Sequence, residues 1–118
     1  MNDSPKNTYM LKSGYDSPYL LIEFKPLEDS EYFLFEIIHM LGLAGFESPE
    51  MLNLWMNDKI VVNLTSPNGT VTVSLDVEGI LRITGNENQA DITRIDKLLQ
   101  LSKAFLKEEV GSRKYKIE

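Results

Sequence analysis

Apolar and polar residues alternate most regularly over residues 59–84. Val71, Val73 and Leu75 alternate with Thr70, Thr72, Ser74 and Asp76. Ile60, Val62 and Leu64 alternate with Val61, Asn63 and Thr65, and Leu81 and Ile83 with Ile80, Arg82 and Thr84. A side-chain period of two marks half-buried strands, and the β-branched content suits a pleated surface. Ser66-Pro67-Asn68-Gly69 separates the first strand from the second. Its Pro pre-sets φ, and its Asn and Gly accept positive φ. Glu78-Gly79 makes the next turn, with glycine where a left-handed residue is needed. Connections this short join antiparallel neighbours, because a parallel pair needs a long crossover. The expected meander has one apolar face, built from Ile60, Val62, Leu64, Val71, Val73, Leu75, Leu81 and Ile83, and such a face requires a cover.

Residues 19–25 (YLLIEFK) predict a fourth strand, with Leu20, Ile22 and Phe24 on one side and Pro18 and Pro26 at its ends. Residues 27–43 predict a helix. Asp29 or Ser30 would cap it, Glu28 and Glu31 suit its start, and Leu34, Ile37, Ile38 and Leu41 form its apolar stripe. Glu36, His39 and Tyr32 lie on its polar strip, and Gly42 and Gly45 are stop signals. Ser48-Pro49-Glu50 reads as a cap, a first-turn proline and an acid opening a short helix over 49–56. The rival reading is a strand through Leu52 that turns at Asn57-Asp58 into the meander. Asp91 is expected to cap a last helix reaching about Val110, with Ile92, Ile95, Leu98, Leu99, Ser102, Phe105 and Leu106 along its stripe.

The resulting expectation is an α+β fold: a four-stranded, mainly antiparallel sheet in the order β-α-(α)-β-β-β-α, with helices on one face of a two-layer sandwich. Residues 16–111 would form one domain, flanked by a flexible N-terminal arm over 1–15 and a flexible tail over 112–118.

Charge changes this picture on one point. The chain of 118 residues has net charge −6. Residues 1–58 carry 3 basic against 10 acidic side chains, whereas residues 59–118 carry 9 against 8. The acidity therefore belongs to the N-terminal half. Such a chain is a poor general binder of nucleic acid, whose affinity comes from Lys and Arg on phosphates, and it favours a basic protein partner. There is no cysteine, which removes disulfides, thiolate metal sites and cysteine nucleophiles. No apolar stretch reaches the ~20 residues a bilayer requires, and the expected location is cytoplasmic.

Candidate chemistry lacks second components. His39 is the one histidine, and no serine sits in a G-x-S-x-G setting. Glu36 and His39 form a single E-x-x-H, where a di-iron bundle needs two copies and further glutamates. Neither Gly42-Leu43-Ala44-Gly45 nor Asp76-Val77-Glu78-Gly79 has the spacing of a phosphate cradle or a calcium loop. The expectation is a non-enzymatic module without metal or cofactor that covers a basic surface of a partner, in the manner of an immunity protein, an inhibitor or a chaperone. Its expected contacts are Glu28, Asp29, Glu31, Tyr32, Glu36, Glu47 and Glu50. The alternatives are a homo-oligomeric assembly subunit that pairs through a sheet edge, and a small-ligand or enzymatic groove between helix and sheet.

Overall fold

The computed structural model describes residues 7–13, 18–25, 30–54, 59–102 and 105–108, the side chains of 30–31, 48–54 and 59 excepted. The chain is α+β. Its strands are β1 (Asn7–Ser13), β2 (Leu20–Lys25), β3 (Glu47–Leu54), β4 (Lys59–Ser66), β5 (Gly69–Leu75), β6 (Leu81–Thr84) and β7 (Phe105–Lys107). Helix α1 (Ser30–Leu43) follows β2, and α2 (Gln89–Leu101) follows β6.

The meander forms as the alternation predicts. β4 pairs antiparallel with β5 through Val62 and Val73, and β5 with β6 through Val73 and Ile83. Gly69 and Gly79 both hold positive φ, at 135° and 84°, where a side chain would be strained. The sheet is larger and more mixed than the expected four strands. Its order is β3-β4-β5-β6-β2-β1-β7, seven strands among the described residues, and β1 runs parallel to β7.

Three local expectations are corrected. First, residues 47–54 form a strand rather than opening a helix, because β3 pairs antiparallel with β4 and Pro49 is taken up at a register shift between Glu47 and Glu50. A proline without a donor is tolerated on an edge strand next to such an irregularity. Second, part of the expected N-terminal arm, Asn7–Ser13, is strand β1, which pairs with β2 from Thr8 to Ser13. Third, α2 begins after Asn88, whose side chain accepts from the Asp91 amide, and it ends at Leu101 with Ser102 extended. Asp91 is therefore inside the first turn and not the cap. Phe105, placed by its spacing on the helical stripe, belongs to β7. The expected tail over 112–118 and Trp55, Met56 and Val110 lie outside the described residues.

Both helices cover the same face, and the topology says why. Counting strand directions across the sheet, β2 and β3 run the same way, as do β6 and β7. Each helix is thus a crossover between strands of one direction, and such crossovers are right-handed. The two crossovers start from antiparallel strands and move toward opposite edges. One hand then puts both helices on one side. Phe33, Leu34, Ile37 and Leu41 of α1 and Ile92, Ile95 and Leu99 of α2 join Tyr9, Ile22, Phe24, Val62, Val73 and Ile83 in a single core. Phe24 sits within an aromatic cluster, its ring centre 5.8 Å from Tyr9, 5.3 Å from Phe33 and 5.7 Å from Phe105.

Candidate protein-interaction surface

At 3.6 residues per turn, Tyr32, Phe35, Glu36, His39 and Leu43 of α1 fall within an arc of about 100°. All five are exposed, with Tyr32 at 65%, Phe35 at 53% and Leu43 at 78%. The opposite arc holds Phe33, Leu34, Ile37 and Leu41, all buried against the sheet. The exposed arc therefore sets Tyr32, Phe35 and Leu43 beside Glu36 and His39, and the opposite arc is packed on the sheet. Large apolar side chains exposed together on one helix face mark a candidate interaction site. Its aromatic content matches the residues that anchor protein interfaces.

The surface continues past the end of the helix. Met40, Leu43 and Ala44 face Leu98 and Leu101 of α2 and the following Ser102 across an apolar groove of about 340 Å³, and Leu101 is exposed. Arg94 braces this end: its Nη1 donates to the Ala44 carbonyl at 3.1 Å, and its guanidinium lies 4.6 Å from the Phe46 ring centre. The chain then leaves through Gly45, at φ 101°, into Glu47.

Of the residues expected to meet a partner, Tyr32 and Glu36 are brought together one helical turn apart on the exposed arc. Glu47 is exposed just beyond the C-terminal end of α1. Glu31 lies in the first turn of α1, and Glu50 is in β3, in register with Asn63. Glu28 and Asp29 lie outside the described residues. Phe35 and Leu43 complete the arc and were not among the expected contacts. Their signal was present: the polar strip through Tyr32, Glu36 and His39 passes over both positions.

The polar clusters elsewhere hold the architecture together. Asp91, fully buried, accepts from Ser66 Oγ, from Asn68 Nδ2 at 3.0 Å, from Asn88 Nδ2 at 2.8 Å and from Arg94 Nε at 3.1 Å. Burial alone would raise its carboxyl, but these four donors outweigh that and hold its pKa down at about 2. The cluster ties the β4–β5 turn to the start of α2. At the other end of α2, the Tyr9 hydroxyl lies 2.9 Å from Asp96 Oδ1, and Lys107 Nζ and Gln100 Nε2 reach Asp96 Oδ2 at 3.1 and 2.9 Å. Burial first, and then the adjacent carboxylate, push the Tyr9 phenol far upward, so it remains a donor. On the sheet face away from the helices, Glu23 bridges Lys12 at 3.0 Å and Arg82 at 3.2 Å, and Arg82 reaches Asp76 at 3.1 Å. Among the described residues, no buried polar side-chain atom lacks a partner. A shallow depression of about 520 Å³ opens beside this face, lined by Tyr19, Leu21, Thr72, Thr84 and Glu87 among others.

Comparison with protein-family models, with curated proteins and with solved structures gave no match to this chain. No helix among the described residues is long and apolar enough to cross a membrane.

Proposed function

We propose that this chain is a small acidic protein-binding module that acts by covering a basic surface of a partner protein, as an immunity protein, an inhibitor or a chaperone does. The observation that carries the reading is the exposed arc of α1, where Tyr32, Phe35 and Leu43 stand beside Glu36. Aromatic side chains supply large contact area at low entropic cost, and the flanking carboxylates steer a cationic partner and set its orientation. The net charge of −6 works in the same direction. On this reading the chain works by occupation, without a chemical step, and His39 is a contact residue and not a base.

The test is paired capture from a native extract, with the wild type beside a Tyr32→Ala/Phe35→Ala variant and a Glu36→Lys variant. The wild type is expected to retain a basic protein at physiological salt. Both variants should hold it about 5- to 30-fold more weakly, since one anchor is worth about 1–2 kcal/mol. Raising the salt should weaken the complex by screening the charge pairs. Equal retention by all three proteins, or retention of nothing specific, would end this reading.

A further inference from the structure

Sheet edges expose unpaired backbone donors and acceptors, and proteins guard them with charge, proline, bulges or brevity. The two edges here are guarded unequally. β7 is only three residues long. β3 has eight, and its protection is confined to its first half. Glu47, Pro49, Glu50 and the register shift all lie within 47–50. Residues 51–54, Met-Leu-Asn-Leu, run in regular antiparallel register with β4, from Met51 opposite Val62 to Leu54 opposite Lys59, and contain neither charge nor proline. This is the one unguarded edge segment among the described strands.

We propose that a second copy of this chain pairs with residues 51–54 of β3, antiparallel about a two-fold axis, joining two seven-stranded sheets into one. The charge pattern of the strand favours a copy of itself in this orientation. A two-fold axis near Leu52 and Asn53 sets the uncharged halves against each other and carries the two acidic halves to opposite ends. A parallel pairing would instead align Glu47 and Glu50 with their own copies. The contact is isologous, so it closes at two chains and does not propagate. A single strand pair buries less than the ~1,600 Å² of a standard interface. Association is therefore weak and depends on concentration.

Its salt dependence has the opposite sign to that of a basic partner. Each copy carries net charge −6, and added salt screens their repulsion, so self-association strengthens as the other complex weakens. Position 52 tests the geometry. It lies at the middle of the unguarded segment, in register with Val61 of β4.

Light scattering and sedimentation of the wild type over about a hundredfold range of concentration should show a monomer–dimer equilibrium. Leu52→Lys alone and Leu52→Glu alone should each remain monomeric, because like charges meet across the axis. An equimolar mixture of the two should form a heterodimer, which only folded chains with position 52 near the axis can do. A wild type that stays monomeric throughout, a Leu52→Lys chain that dimerises as the wild type does, or a mixture that stays monomeric would each overturn the proposal. Loss of the basic partner in the capture experiment would leave it standing, because that surface is on α1.

Discussion

Asp91→Ala is expected to destabilise the fold by about 2–4 kcal/mol, the cost of leaving buried and part-buried donors unsatisfied. The carboxylate is fully buried and accepts from Ser66, Asn68, Asn88 and Arg94. Alanine leaves these donors facing a hole. It also severs the β4–β5 turn from α2, so the loss is shared between two elements. Urea unfolding should show a lower midpoint at unchanged slope, since the surface exposed on unfolding is the same. The same group predicts a pH dependence. Its folded pKa of about 2 lies below the ordinary 3.8. A depressed carboxylate contributes stability that is fully present above the unfolded value and is lost as pH falls through the folded one. The wild type should thus lose about 2 kcal/mol between pH 4 and pH 2 from this group. Asp91→Asn should be less stable at neutral pH and flatter across that interval. If Asp91→Ala fell within about 1 kcal/mol of the wild type, inside the ordinary range for single substitutions, the cluster would not be the pin described.

Phe24→Ala should cost about 3–5 kcal/mol, as large aromatic deletions from cores do. Phe24 is fully buried where β1, β2, α1 and β7 meet, with Tyr9, Phe33 and Phe105 around its ring. None of these neighbours can fill the space without leaving its own place. β7 should be released first, because only three residues of strand, the Phe105 packing and the Lys107–Asp96 ion pair hold it among the described contacts. Hydrogen exchange should therefore show the amides near Lys107 and Glu108 losing protection beyond the global change. Phe35→Ala is the informative contrast. Its ring is half exposed on the other side of α1, so its effect on stability should be within about 0.5 kcal/mol. Its effect, if α1 meets a partner there, is on binding.

The meander was legible because its evidence is local. Alternation over 59–84 and two glycine turns determine three strands, their direction and their apolar face without reference to the rest of the chain. Both helix starts and the α1 stripe were legible to within a few residues for the same reason. What the sequence could not show is where a segment competes between two partners of similar local merit. Residues 47–54 carry a proline-acid opening typical of a helix, and only the open side of β4 makes them a strand. Phe105 and Leu106 continue a helical spacing, and the aromatic cluster draws Phe105 into β7 against a strand nearly a hundred residues earlier. Asp91 reads as a cap because its own turn is all that is visible nearby; the hairpin that claims its carboxylate is distant along the chain.

The candidate surface divides in the same way. Glu36 and Tyr32 could be placed on one face of a helix from spacing alone, and the acidity of the first half of the chain is a matter of composition. Phe35 and Leu43 fall on the strip that the spacing of Tyr32, Glu36 and His39 marks, and the structure shows both exposed. The sequence by itself determined the local geometry and the sign of the charge. Which segments flank the meander, and which edge is left open, are settled by tertiary pairing. Those outcomes depend on contacts between segments far apart in the chain, and residue spacing carries no information about them.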